Sequence, residues 1–423
     1  MKRMIWTSLA TLLALSCWGV GPAAAQTVSC PIKVGGILPL TGSMGPVGKH
    51  IAESAQLAID TINQGGGIKG CQLQFILRDD QGQPTVGVDA AKYLVEVERV
   101  VALSGSVSSG VSLPILTAVA VPSGVPMVSC CSTAATFTTM AVEGKTNGFF
   151  FRTLPTLKTQ AYATAKVTAE RGYKRIAIIY LNTDFGTGMV KDFTRATEKL
   201  GGKVVKAVAY NENQPSYRAE VNAAMAEKPD ALFLVAFPQD GATMTREWIS
   251  LGGTQNLILN NALRSPDYIK LVGAKYLQSA FGMDNASVAG PTVDAFKVAF
   301  QKAYNTSPDG PGIYNQYDAI MAIGLAIAIA PDLSGKSIRD AMRKFQNEGA
   351  TVVGTGPDAF RDGMALIKAG KPIRYVGATG PLTFDANGDV SGPALIWTVK
   401  GEALAIDRQI SLDDMAALFK SID

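Results

Sequence analysis

The sequence predicts a two-lobed α/β protein, and three observations carry that prediction. The 423 residues exceed the size at which a single hydrophobic core usually stops growing, so two folding units are expected. Strand-like and helix-like stretches alternate up to about residue 150 and then begin a second alternation, the rhythm of parallel sheets covered by helices on both faces. Hydrophobic residues make up 47% of the chain and charged ones only 17%, which suits deep burial and excludes a disordered polymer.

The first alternation begins with a strand at 32–38 and a glycine-rich turn, Pro39-Leu-Thr-Gly-Ser-Met-Gly-Pro46. A helix over 47–63 follows, burying Ala52, Ala55, Leu57, Ala58 and Ile62 until the glycines from Gly65 stop it. Next come a strand at 73–77, a helix led by Pro84 to about residue 97, and a strand at 100–103. That strand opens into Ser104-Gly-Ser-Val-Ser-Ser-Gly-Val-Ser-Leu-Pro114, from which a helix runs to about residue 121. The strand at 126–128 ends in a second corner of the same kind, Ser129-Cys-Cys-Ser-Thr133, with a short helix after it.

The second alternation places helices at 156–171, 185–200, 216–226 and 242–251, and strands at 175–180, 204–209, 231–235 and 257–259. Beyond it the pattern predicts a strand at 277–283, helices at 293–304, 313–330 and 338–345, turns around a short strand at 377–392, and a terminal strand at 394–399.

The N-terminus reads as an export signal. Lys2 and Arg3 precede an apolar run at 5–20, and Ala23-Ala-Ala25 supplies the small residues of a cleavage site, so removal of residues 1–25 and export into an oxidising compartment are expected. Cys17 follows Ala14-Leu-Ser rather than a leucine-led lipoprotein box. The formal net charge of +4 becomes +2 on cleavage, too small and too scattered for a nucleic-acid partner. Export permits disulfides: Cys30 and Cys71 flank the starts of two neighbouring strands and are a candidate pair. Cys130 and Cys131 can bond to each other, bond elsewhere, or remain free and buried.

Catalysis finds no support. His50 is the single histidine, so neither a Ser-His-Asp set nor a zinc cluster is expected, and no metal or cofactor is implied. Gly42-Ser-Met-Gly45 lacks the lysine of a phosphate loop, and Asp79-Asp80 fits a capped turn as well as a catalytic pair. The two serine-rich corners are the better candidates. Hydroxyls of Ser108, Ser109 and Thr133, with free N–H groups at helix starts, suit a ligand carboxylate; they equally suit plain helix capping.

Several motifs together resemble one family. Lys33-Val-Gly-Gly-Ile-Leu-Pro-Leu-Thr-Gly42, Asn63-Gln-Gly-Gly-Gly-Ile-Lys-Gly70, Asp79-Asp80, Phe151-Arg152, Arg175-Ile-Ala-Ile-Ile179, Asp184-Phe-Gly-Thr-Gly188 and Gly380-Pro-Leu-Thr-Phe-Asp-Ala-Asn-Gly388 are similar to the Leu/Ile/Val-binding family of periplasmic substrate-binding proteins. The resemblance spans nearly the whole chain after the leader. It implies the type I periplasmic binding protein fold, two Rossmann-like α/β lobes with three crossovers, a solute held in the cleft, and an ABC permease of the inner membrane as partner. Residues 26–152 with 281–390 would form the first lobe and 153–280 with 391–423 the second. The crossings would fall near 151–155, 277–283 and 389–393.

Carried over by position, the family's contacts to an amino-acid ligand fall on Ser108, the backbone of Cys131 and Thr133 in the first lobe. Aromatic contacts fall on Phe185 and near Phe237. These two and Tyr314 would supply apolar walls or else belong to the core, and for Tyr314 the core is expected. The family's acidic partner of the ligand ammonium would lie near Asn260, Asn261 or Ala262, where this chain has no carboxylate. Asn261 offers a hydrogen bond but no charge, and Asp184 or Asp240 would replace it only by pointing inward. A sealed ammonium without a charge partner costs several kcal/mol, so a small organic or aromatic carboxylate is expected rather than a branched-chain amino acid. The alternatives are amino-acid import and ligand sensing.

Overall fold

The computed structural model describes Met1 and residues 29–423, so the leader expected at 1–25 lies outside the described residues. The first five strands, β1 (Ile32–Leu38), β2 (Leu73–Asp79), β3 (Ala102–Gly105), β4 (Met127–Ser129) and β5 (Phe150–Arg152), form one sheet in the order β2-β1-β3-β4-β5. All its pairings are parallel, with Val34 opposite both Phe75 and Ala102. Helices cover both faces, and strands buried on both sides read as continuous apolar runs rather than alternating ones.

After β5 the chain enters a second lobe through the helix Leu157–Glu170 and builds β6 (Arg175–Leu181), β7 (Lys203–Tyr210), β8 (Ala231–Val235), β9 (Leu257–Leu259) and β10 (Phe281–Asn285). It returns to the first lobe with the helices Pro291–Tyr304, Ile313–Ile329, Gly335–Ala341 and Pro357–Lys368 and a small sheet of β11 (Thr351–Val353), β12 (Ile373–Gly377) and β13 (Gly380–Pro381). A third crossing leads to β14 (Ala394–Lys400), β15 (Ala403–Ile410) and the helix Leu412–Ile422. The second sheet has the order β15-β14-β10-β9-β8-β6-β7, with β14 antiparallel to both its neighbours.

The helix Ile313–Ile329 is the spine of the first lobe, buried almost all round; most of its residues are small or apolar, and its buried polar side chains include Asp318, which accepts the Tyr375 hydroxyl at 2.8 Å, and Gln316, which donates to Ser104 Oγ at 2.8 Å. It lies close against the helix Gly45–Gln64: a Cβ on Gly324 would stand 2.7 Å from Ile62 Cδ1. Among the described residues no helix is long and apolar enough to cross a membrane. Cys30 and Cys71 form a disulfide at the outer end of β1 and β2.

Three expectations need correction. Residues 281–285 are β10, paired with β9 and β14, and so belong to the second sheet rather than the first lobe. Phe281 and Met283 bury in the second-lobe core and Trp397 lies flat on Gly282, which moves the second crossing to 286–290. The strand at 394–399 is not terminal; β15 and the closing helix follow, the latter capped by Ser411, whose Oγ accepts the Asp414 N–H at 3.1 Å. Finally, β11, the helix Pro357–Lys368 and β12 occupy a stretch read without elements; Thr351 and Val352 of β11 are exposed, so no burial period marked it.

Candidate ligand site between the lobes

The first wall of the cleft grows from the end of β3. Gly105 leads into the helix Ser109–Ile115, which continues through a π-helical turn at Leu116–Ala120 to Ser123. Ser108 is its N-cap, in extended conformation, and its hydroxyl makes no capping bond. Its carbonyl takes the N–H groups of Val111 and Ser112 at 3.1 and 2.9 Å. The earlier N–H groups, those of Ser109 and Gly110, have no partner within the helix. That positive end faces the second lobe: a Cβ on Gly110 would lie 3.5 Å from Thr183.

Most other hydroxyls of the corner are scaffold. The Ser106 carbonyl accepts from Ser112 Oγ at 3.1 Å, Ser129 Oγ at 2.7 Å and Ser132 Oγ at 3.2 Å. Ser106 Oγ donates to Asp80 at 2.6 Å, and burial pushes that carboxyl up to about 6. Ser109 Oγ accepts the Ala134 N–H at 3.2 Å, which ties the two corners together. The Cys131 N–H, expected as a ligand donor, is instead directed to Ser129 Oγ at 3.2 Å.

Thr133 is buried and does not line the cavity, contrary to a direct wall position; its carbonyl accepts the Leu157 N–H at 2.9 Å and its Oγ1 has no partner. The residue that fixes it belongs to the Phe151-Arg152 motif, to which the sequence assigns no role. Arg152, 0% exposed, donates through Nη1 to the carbonyls of Ser132 and Ala134 at 3.0 and 2.9 Å, one on each side of Thr133. Its Nε reaches Asp389 at 2.7 Å, and Thr138 Oγ1 bridges Arg152 Nη2 to Asp389 at 2.6 Å on each side. A buried guanidinium is tolerated because its donors meet a carboxylate and carbonyls.

The second wall is apolar. Phe185 sits in the first turn of the helix Asp184–Lys199, capped by Thr183, and Phe237 precedes the helix Pro238–Ser250. Asn261 starts a short 3-10 turn with its Oδ1 buried and unpartnered. Asp184 is exposed, and Asp240 accepts the Tyr217 hydroxyl at 2.7 Å away from the cavity, so neither supplies the missing carboxylate. Burial also pushes Asp240 upward.

Between the walls lies a cavity of about 460 Å³, counting its open mouth. Ser108, Ser109, Cys131, Phe185, Phe237 and Asn261 all line it, together with Met44, Val47, Ile51, Ala262 and Gly312; none of its lining side chains is charged. Cys130 and Cys131 are joined as a vicinal disulfide. Tyr314 is elsewhere, packed on Phe296 with ring centroids 4.8 Å apart. Across the cleft, Ser43 of the first lobe donates to Glu212 of the second, whose carboxyl burial raises to about 7.

Residues 31–378 match the family model described as periplasmic binding protein. Among relatives, the chain is 27% identical to the chemotactic signal transduction system substrate-binding protein BasB of Halobacterium salinarum, covering 84% of each, and 28% identical to the Leu/Ile/Val-binding protein BraC3 of Rhizobium johnstonii, covering 85% of this chain and 91% of the other. Among solved structures, the leucine-binding protein LivK of Thermotoga maritima superposes with a TM-score of 0.77 at 24% identity, covering 91% and 100%. A solute-binding protein of an ABC transporter from R. palustris, in complex with benzoate, gives 0.73 at 19%, covering 90% and 96%. The match over most of the chain agrees with the motifs from Lys33 to Gly388, and the chain belongs to the periplasmic binding protein family.

Proposed function

We propose that this protein is the extracytoplasmic solute-binding component of an ABC importer and that its solute is a small carboxylate with an apolar, ring-sized body. The observation that carries this reading is the charge of the cavity: a helix start and hydroxyls on one wall, phenylalanines on the other, and no acidic side chain among the lining residues. A carboxylate resting on Ser108, Ser109 and the N–H groups of that helix is stabilised by hydrogen bonds and by the helix dipole. An ammonium in the same closed space would meet only neutral acceptors, the Asn261 amide and serine hydroxyls, and no charge partner. The structurally similar R. palustris protein that holds benzoate supports a cleft of this architecture accepting an aromatic acid.

Binding follows a two-state scheme. The first lobe holds the carboxylate in the open form, and Phe185 and Phe237 favour closure only when the rest of the solute fills the space beside them. The closed form is then presented to a permease. Removal of residues 1–25 would deliver the protein to the periplasm, which N-terminal sequencing of the exported form checks.

The deciding experiment is a thermal-shift and calorimetric comparison of benzoate, short aliphatic acids and leucine on the mature protein. Bound solute raises the melting temperature by mass action, and benzoate is expected to do so while leucine does not. Leucine binding more tightly than benzoate would overturn the carboxylate reading in favour of amino-acid import. Similarity to BasB favours a second reading, a binding protein that feeds a signalling receptor. Deleting the gene separates the two: loss of solute uptake marks an importer, and loss of taxis with uptake intact marks a sensor.

A further inference from the structure

The first wall contains a covalent feature that carboxylate recognition does not use. Of the two bonded cysteines, Cys131 lines the cavity, whereas Cys130 is 0% exposed in the apolar cluster of Met44, Ile51 and Phe237. Gly312, in the left-handed region at φ +76, packs directly against the pair. A Cβ there would stand 2.3 Å from Cys131 Sγ, 3.7 Å from Cys130 Sγ and 3.3 Å from Ile51 Cδ1. The loop around the pair is held on both sides, by Ser129 Oγ on the N–H groups of Cys131 and Ser132 and by Arg152 on the carbonyls of Ser132 and Ala134.

In such a setting the two redox forms of the pair need different space. Bonded sulfurs sit about 2.0 Å apart, and non-bonded ones need roughly 3.5 Å or more. Cys130 is enclosed, Gly312 bars Cys131 from withdrawing, and the loop is pinned, so the separation is taken up by turning the Cys131 side chain into the cavity.

We propose that the Cys130–Cys131 pair sets which solutes the cleft admits. As a disulfide it leaves room for a ring-bodied carboxylate; on reduction the Cys131 thiol fills part of that room. The reducing partner is a dithiol: its two sulfurs become a disulfide, and the cysteine pair takes up two electrons and two protons as its S–S bond breaks. The proposal rests on the carboxylate reading of the same site.

The test is calorimetry of the mature protein with benzoate and with propionate, before and after dithiothreitol. Reduction is expected to weaken benzoate about tenfold or more and to leave propionate nearly unchanged. Cys130→Ala/Cys131→Ala has no sulfur to turn inward, so its own benzoate affinity should not respond to dithiothreitol, which removes the Cys30–Cys71 bond as the cause. Equal benzoate affinity in both redox states, equal loss of both acids, or the same sensitivity in the double variant would each overturn the proposal. Should neither acid bind the oxidised protein, the carboxylate reading fails instead. The redox proposal is then judged by iodoacetamide labelling after reduction, where modification of Cys131 well ahead of Cys130 supports it and equal labelling sinks it.

Discussion

On the first lobe the cleft wall is a web of hydrogen bonds, with three serine hydroxyls on the Ser106 carbonyl and Arg152 bracketing Thr133, whereas the second lobe presents Phe185, Phe237, Ala262 and one unpartnered amide. The first wall is therefore organised before any solute arrives, because its groups already satisfy one another. The second gains contact only when a solute body fills the gap and the lobes close. On the proposed reading, charge falls to the first lobe and most of the shape to the second, and each can be broken separately.

The largest effect is expected from Arg152→Met, which strips Asp389 of its buried partner and frees the carbonyls beside Thr133. Loss of one member of such a pair costs about 3–5 kcal/mol, to be read from urea unfolding; a loss below 1 kcal/mol would show that the first wall does not depend on it. Next comes Asn261→Asp, which puts a negative charge opposite the proposed carboxylate site. Benzoate affinity should fall by roughly tenfold to a hundredfold while leucine affinity rises, and calorimetry showing neither change would separate Asn261 from the solute. Ser108→Ala should weaken benzoate by about tenfold, the worth of a hydrogen bond to a charged group, with cooperative unfolding intact because its hydroxyl makes no capping bond to lose. Unchanged affinity would remove the Ser108 hydroxyl from the site and leave the charge to Ser109 and the helix N–H groups.

The smallest effect concerns the bond between the lobes. Burial raises Glu212 from 4.5 to about 7, so the folded protein holds a proton that the unfolded chain releases in that window. Its contribution to stability therefore falls as pH rises from about 4.5 to about 7 and is level above that. Asp80 and Asp318, each raised by burial to about 6, act in the same direction but stop earlier. Glu212→Gln should flatten the decline in melting temperature between pH 6 and 7, and an identical slope in the variant would dissociate Glu212 from it.

Legibility in the sequence followed burial. Most strands of the two sheets were readable because they are runs of apolar residues between turn signals; β15, polar and largely exposed over Ala403–Ile410, was not. By contrast β11, with two of its three residues exposed, carried no period, and β10 read correctly as a strand but not as a member of the second sheet. The corners at Ser108 and Cys131 could be found as strand ends rich in hydroxyls. What distinguishes Ser108, whose hydroxyl is uncommitted, from Ser129 and Ser132, which are scaffold, is only the set of partners each meets in space. Arg152 carried a usable signal, an arginine at the end of the apolar strand Phe150–Arg152, since a charge placed there needs a buried partner.

By itself the sequence determined the two-lobed α/β architecture and the neutral character of the residue at position 261, since apolar runs, turn residues and the absence of a carboxylate are properties of the chain read locally. Tertiary structure alone decided that Asp389 meets Arg152 across 237 residues, that Asp240 turns toward Tyr217, and that Cys131 rather than Cys130 reaches the cavity. The physical reason is that a polar group's role is set by which partners satisfy it, and those partners come from distant parts of the chain that only folding brings within hydrogen-bond reach.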